Sequence, residues 1–107
     1  MSKVIKPTTV EEVKELMGSG AVFTDFFANW CEPCKNIAPY IEEIADGNES
    51  VKVLKVDIEL PGMKEYVKSL GVGSIPTIFV TKDGFTLARK SGAMTKQELK
   101  NLVEKLN

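Results

Sequence analysis

The chain has 107 residues, of which 43% are hydrophobic and 27% charged, so we expect one soluble domain spanning residues 1–107 with its own apolar core. Its net charge is -1 with both signs interspersed, which predicts neither nucleic-acid binding nor attachment to an anionic membrane. The absence of histidine excludes histidine acid–base catalysis and a complete histidine-based metal site.

The N-terminal residues, Met1 to Pro7, contain no apolar signal segment, and no later apolar run approaches the roughly 20 residues of a membrane span. These features predict a cytoplasmic protein that does not enter a membrane. In that compartment a disulfide is more often transient and catalytic than structural.

Near the N-terminus, Val4 and Ile5 are candidates for a short strand at the edge of a sheet.

A first helix is predicted after Thr8 or Thr9, because either threonine can form a capping box with the glutamate three residues later. Gly18-Ser19-Gly20 ends it, and its apolar stripe consists of Val10, Val13, Leu16 and Met17. The run from Ala21 to Phe27 is almost continuously apolar, which predicts a central strand buried on both faces.

A second helix is predicted from Cys34 to Ala45, where isoleucines recur at helical spacing, and a second strand from Val51 to Asp57. Pro61 suits the first turn of a third helix, and Gly71 suits the position just after its end.

The segments Thr77–Thr81 and Phe85–Arg89 flank Lys82-Asp83-Gly84, which predicts a β-hairpin. A last helix is predicted after Thr95, which has the spacing of a capping box with Glu98. The resulting order, β-α-β-α-β-α-β-β-α, favours an α/β fold: a mostly parallel sheet with helices on both faces, to which the hairpin adds an antiparallel pair.

The only two cysteines of the chain, Cys31 and Cys34, form a C-x-x-C motif between the first strand and the second helix. The unpaired N–H groups at the start of a helix stabilise a thiolate, so this motif predicts a redox-active dithiol. Two alternatives remain: a pair of structural core thiols, and half of a zinc site completed by a second chain.

The chain resembles the thioredoxin family over almost all of its length. The motifs that carry the resemblance keep that family's order and spacing; they are Asp25-Phe26, Trp30-Cys31, Pro33-Cys34-Lys35, Lys55-Val56-Asp57, Ile75-Pro76-Thr77, Gly84 and Gly92. The resemblance implies an α/β thioredoxin fold, with a central five-stranded mixed β-sheet flanked by four α-helices, and disulfide reductase activity. Three residues depart from the commonest pattern: Glu32 and Ser74 at glycine positions, and Phe27 at a tryptophan position.

Within the motif, Cys31 is the predicted nucleophile, because it lies at the helix start in a loop that can leave its sulfur exposed. Cys34, one turn further in, is expected to be more buried and to act as the resolving thiol. Pro33 has a fixed φ and can hold the two sulfurs at bonding distance. The carboxylate of Glu32 disfavours the neighbouring thiolate, and exposure limits this effect.

Asp25 is the only charged residue of its strand, and alternation places it on one face with Phe23 and Phe27. Burial among apolar neighbours raises the pKa of a carboxyl group, which suits Asp25 to accept a proton from Cys34, through water. The alternative is a solvated carboxylate at the end of the sheet. Lys55 is predicted to point inward from the second strand and to form a buried pair with Asp25; a solvated side chain is the alternative.

The family resemblance implies a cis peptide bond before Pro76, beside the dithiol. The backbone of Ser74 and Ile75 is then placed to pair with an extended substrate segment as an added strand. An apolar docking rim is expected around it, formed by Trp30, Gly73, Pro76, Gly92 and Ala93. Trp30 could alternatively belong to the core.

The leading prediction is a protein disulfide reductase. The resemblance implies thioredoxin reductase and disulfide-containing proteins as partners of a monomeric chain, with electrons from NADPH arriving through the reductase and no cofactor or metal bound to the chain itself. The absence of a G-x-G-x-x-G motif agrees with this. A disulfide oxidase or isomerase is the rival enzyme class, but those relatives commonly carry histidine where Pro33 stands. A binding module with incidental redox activity remains open.

Overall fold

The computed structural model describes residues 2–107; Met1, the first residue of the predicted domain, lies outside them. The elements follow in the order α1, β1, α2, β2, α3, β3, β4 and α4. The helices are α1 (Val10–Met17), α2 (Glu32–Gly47), α3 (Met63–Ser69) and α4 (Lys96–Glu104), and the strands are β1 (Ala21–Phe27), β2 (Lys52–Asp57), β3 (Thr77–Lys82) and β4 (Phe85–Ser91).

The four strands form one mixed sheet in the order β2-β1-β3-β4. β1 runs parallel to β2 and antiparallel to β3, and β3 runs antiparallel to β4. The predicted α/β class and mixed sheet are therefore confirmed. β1 has the predicted bounds, and five of its seven residues are buried, as expected for a central strand covered on both faces.

The expectation of five strands is wrong for the described residues, which contain four. The predicted edge strand at Val4 and Ile5 is reduced to a single bridge between Ile5 and Leu54. Both backbone hydrogen-bonding groups of Ile5 are used in this bridge: its N–H donates to the Val53 carbonyl, and its carbonyl accepts from the Lys55 N–H. Pro7 follows two residues later and has no N–H to offer, so the ladder cannot continue.

Two apolar cores lie on the opposite faces of the sheet. One contains Val13 of α1 and Met63 of α3 together with the cysteine pair. The other contains Ile41 of α2 and Leu99 of α4. The helix that carries the dithiol thus begins at one core and runs along the other, which anchors it to both faces of the sheet.

The helix starts follow the predicted capping chemistry in two places. The Thr9 side chain caps α1 by accepting from the Glu12 N–H, and Thr95 forms a full capping box with Glu98 at α4. The predicted place of Pro61 in α3 is wrong. Gly62 has a φ of +75°, a left-handed conformation that cannot belong to a right-handed helix, so α3 begins after it at Met63.

The hairpin between β3 and β4 turns at Asp83 and Gly84, whose φ angles of 48° and 86° are both positive, as a tight two-residue turn requires. Further along β4 the register shifts. Val80 pairs with Ala88 while Thr81 pairs with Thr86, so Leu87 is left over as a β-bulge. β4 is therefore an interrupted edge strand.

Candidate active site

The two cysteines form a disulfide at the N-terminus of α2, with their Cα atoms 5.2 Å apart. Cys31 is the N-cap residue, and its sulfur accepts a hydrogen bond from the backbone N–H of Cys34 at 3.2 Å. Pro33 lies in the first helical turn between them, where its missing N–H leaves no helical bond unmade. The sulfur of Cys31 therefore faces the positive end of the helix dipole, which favours its thiolate in the reduced state.

Burial does not distinguish the two cysteines in this oxidised form. Cys31 is 4% exposed and Cys34 is 3% exposed, and both belong to the apolar core on the α1 and α3 side of the sheet. The expectation that Cys31 presents an exposed sulfur is wrong here, because the two sulfurs are bonded to each other and packed against apolar side chains.

Asp25 lies in the middle of the sheet, opposite Lys55 on β2 and Ile78 on β3. It is fully buried, and neither of its carboxyl oxygens has a hydrogen-bond partner among the described residues. Burial raises its pKa from the ordinary 3.8 to about 7, against the opposing attraction of Lys55. Such a group is half ionised near neutral pH and can accept a proton there.

Lys55 is half-buried, and its ammonium group lies 4.4 Å from the centroid of the Phe27 ring. In the part of the chain described, no ion pair within 4.0 Å joins it to Asp25, so the predicted direct pair is not formed. The aromatic face offers the ammonium group a cation–π contact while its stem stays against apolar surface. Phe27 stands where many family members have tryptophan, and it provides that contact.

A small cavity of about 180 Å³ opens beside the second cysteine. It is lined by Phe27, Ala28, Asn29, Cys34, Lys35, Ala38 and Lys55. The cavity brings Cys34 and Lys55 to one space, which is large enough to hold water.

The peptide bond between Ile75 and Pro76 is cis. Two contacts hold the residues around it. The Thr77 hydroxyl donates to the Ser74 carbonyl at 2.6 Å, and the Gly92 N–H donates to the Pro76 carbonyl at 2.9 Å. Pro76 itself is buried, which leaves the exposed backbone of the preceding residues as the accessible part of the loop.

Trp30 is 65% exposed, so it does not belong to the core. Its indole Nε1–H donates to Glu59 Oε1 at 2.7 Å, and Glu59 Oε2 lies 3.1 Å from Lys64 Nζ. Hydrogen bonds from Trp30 and Lys64 hold the pKa of Glu59 below its ordinary value of 4.5. Sequence reasoning missed Glu59, because no local pattern connects it to a tryptophan 29 positions away.

An open groove of about 590 Å³ lies beside the tryptophan. Its lining combines apolar side chains, two lysines and exposed backbone; the residues are Trp30, Ile58, Lys64, Val67, Lys68, Val72, Gly73, Ser74 and Ile75. Four members of the expected docking surface, Trp30 and residues 73–75, thus meet at one groove. Gly92, which is half-buried, and Ala93, which is exposed, are not among its lining residues.

Among residues 2–107, no group of three or more histidine, cysteine, aspartate or glutamate side chains has the arrangement of a metal site. In the same described range, no helix is long and apolar enough to cross a bilayer.

Comparison with known proteins gives one consistent family. The Thioredoxin family profile matches residues 4–105. The chain is 36% identical over 107 residues to a thioredoxin of Listeria monocytogenes, covering 95% of this chain and 98% of that protein. It is 40% identical over 87 residues to a thioredoxin of Bacillus subtilis, covering 80% and 82% respectively.

The solved structure of thioredoxin O2 from Arabidopsis thaliana, in its oxidised state, superposes with a TM-score of 0.86 at 29% identity, covering 98% of this chain and 95% of that one. The superposition therefore covers nearly the whole chain. The chain belongs to the thioredoxin family, and its Cys31–Cys34 pair makes it a thiol–disulfide oxidoreductase that reduces protein disulfides by dithiol–disulfide exchange.

Proposed function

We propose that the reaction begins when the Cys31 thiolate attacks one sulfur of a substrate disulfide. A bond forms between Cys31 and that sulfur, the substrate S–S bond breaks, and the other substrate sulfur leaves as a thiolate that takes a proton from water. The observation that carries this assignment is the position of Cys31 as N-cap of α2, where the unpaired N–H groups stabilise its charge.

In the second step, the Cys34 sulfur attacks Cys31 and closes the internal disulfide, and the remaining substrate sulfur leaves as a thiolate that takes a proton from water. The protein dithiol is thereby oxidised by two electrons and the substrate disulfide is reduced to two thiols. Asp25 accepts the Cys34 proton through water. Its unpaired, buried carboxyl group and its pKa of about 7 support this role. The Lys55 ammonium favours the ionised carboxylate of Asp25 and so lowers its pKa, against the effect of burial.

The substrate segment docks in the groove beside Trp30. The exposed backbone of Ser74 and Ile75 pairs with it as an added strand, while Pro76 fixes the loop and Gly73, Gly92 and Ala93 border the contact. This arrangement recognises main chain rather than particular side chains, which suits a reductase with several protein substrates.

The disulfide formed in each cycle is reduced again by thioredoxin reductase with electrons from NADPH, so the chain binds no cofactor of its own. It works in the cytoplasm as a single monomeric domain, residues 1–107. There it keeps protein thiols reduced and supplies electrons to reductive enzymes. The family relationship and the bacterial relatives support these assignments.

The test is reduction of insulin by dithiothreitol, with the wild-type chain compared with Cys31→Ser and Cys34→Ser. We expect the wild type to accelerate the reaction and both variants to lose the acceleration. Only Cys34→Ser should retain insulin as a mixed disulfide on Cys31, visible by mass spectrometry without reductant. Trapping by Cys31→Ser instead would reverse the two roles. If the variant that lacks both cysteines loses insulin reduction but keeps the full function of the protein, the binding-module alternative is favoured.

A further inference from the structure

The docking loop, residues 71–76, is held at its first end by a side chain from the edge strand of the sheet. Arg89 on β4 donates from Nη1 to the Leu70 carbonyl at 2.8 Å and from Nη2 to the Gly71 carbonyl at 2.9 Å. Its guanidinium also lies over the Phe79 ring, 4.8 Å from the centroid. Two bonds and one stacking contact therefore fix the orientation of this side chain.

These two carbonyls have no other fixed donor in the described backbone. The end of α3 is a Schellman motif, in which the Gly71 N–H donates to the Lys68 carbonyl and the Val72 N–H to the Val67 carbonyl. The carbonyls that accept hydrogen bonds in this motif precede Leu70, so those of Leu70 and Gly71 remain free to accept from Arg89. A cation at the C-terminus of a helix is also favoured by the helix dipole.

The other end of the loop is tied to the same strand. Ser91 Oγ lies 2.7 Å from Thr77 Oγ1, the hydroxyl that bonds the Ser74 carbonyl, and the Gly92 N–H holds the Pro76 carbonyl. Between the two ends, a side chain at Gly73 would meet nothing within 4 Å. Hydrogen bonds to residues 89–92 therefore hold both ends of the loop, on either side of the exposed backbone at residues 73–75.

We propose that Arg89 is a positioning residue for substrate docking: its two hydrogen bonds hold the docking loop in the conformation that pairs with the substrate backbone. This inference rests on the proposed function of the groove. Arg89 touches neither cysteine in any described contact, so it acts on binding and leaves the sulfur chemistry to α2. Without it, ordering the loop becomes part of the cost of binding.

The test compares Arg89→Gln with Lys90→Gln, a matched control that removes the same charge one residue further along. Lys90 pairs with Glu98 on α4 at 3.0 Å and takes no part in the loop. With insulin varied at saturating dithiothreitol, we expect Arg89→Gln to raise the apparent KM about threefold to tenfold at nearly constant kcat. Its rate with a small substrate, hydroxyethyl disulfide, should stay within about twofold of wild type.

Arg89→Lys separates geometry from charge, because a lysine keeps the charge but lacks the planar fork. We expect Arg89→Lys to show most of the increase in KM that Arg89→Gln shows. If Arg89→Gln does not fold, Arg89→Lys serves as the test variant. An unchanged KM in both variants, or a parallel fall of the insulin and small-substrate rates, would overturn the inference. Failure of the wild type to reduce insulin would instead contradict the proposed function itself.

Discussion

The indole Nε1–H of Trp30 donates to the carboxylate of Glu59 at 2.7 Å, and this hydrogen bond joins the residue before Cys31 to the segment that follows β2. Lys64, on α3, forms an ion pair with the same carboxylate, and the two contacts together fix the position of the exposed indole ring beside the groove. Trp30 is the only tryptophan of the chain, and its fluorescence therefore reports on this one place.

We expect Trp30 fluorescence to change on acidification as Glu59 is protonated. Since hydrogen bonds from Trp30 and Lys64 lower the pKa of Glu59, the midpoint should fall below pH 4.5. Glu59→Gln should abolish that step, and Glu65→Gln, on the neighbouring helix, should preserve it. A step of equal size and midpoint in Glu59→Gln would show that another group causes it.

The second prediction concerns stability and Asp25. Its pKa is raised by folding, so the folded state binds more protons than the unfolded state between pH 3.8 and about 7. The free energy of unfolding should therefore fall as pH rises through this interval and level off above it. At about 1.4 kcal/mol per pH unit, the full penalty is on the order of 4 kcal/mol.

Asp25→Asn removes this penalty, and we expect urea denaturation to show it more stable than wild type at pH 8, with the difference shrinking towards pH 4. Asp46→Asn, at an exposed position of α2, serves as the control and should show no such pH-dependent gain. Equal stability of the wild type and Asp25→Asn at pH 8 would contradict a buried, ionised carboxylate there.

The third prediction concerns the resolving step. With Asp25 as the proton acceptor, the rate at which Cys34 displaces a bound substrate thiol should rise with pH through about 7. Asp25→Asn should slow this step about tenfold or more and remove that rise, while formation of the mixed disulfide stays close to wild type. Rapid-quench trapping of the mixed disulfide separates the two steps. Equal slowing of both would assign Asp25 a purely structural role.

The fourth prediction concerns Glu32, whose carboxylate lies next to Cys31 and pairs with Lys35 at 3.2 Å. Because both side chains are largely exposed, the opposing effect on the thiolate is small. We expect Glu32→Gly to accelerate alkylation of reduced Cys31 by iodoacetamide at pH 6 modestly, by about twofold. Lys35→Gln should have the opposite effect. An unchanged alkylation rate in Glu32→Gly would remove Glu32 from the control of the nucleophile.

Local sequence signals predicted most of the fold. The continuous apolar run of β1, the capping box at Thr95 and the turn at Asp83 and Gly84 each depend on neighbouring residues, and each has the expected structure. The cysteine pair was located by the same reasoning, since its spacing and its place before a helix are both local.

The wrong predictions concern features that are determined by tertiary contacts or by backbone conformation. Lys55 lies over Phe27 rather than against Asp25, and Pro61 falls outside α3 because the next residue is left-handed. Glu59 and Arg89 act on partners 18 to 29 positions away, through tertiary contacts that leave no periodicity or motif in the sequence.

The bulge at Leu87 has a consequence for how this protein meets other chains. A neighbouring chain can add a strand only along an unbroken row of peptide groups, and the bulge interrupts that row halfway along the outer border of the sheet. At the opposite border, Ile5 already occupies part of β2. Lateral growth of the sheet into aggregates is thereby discouraged at both borders.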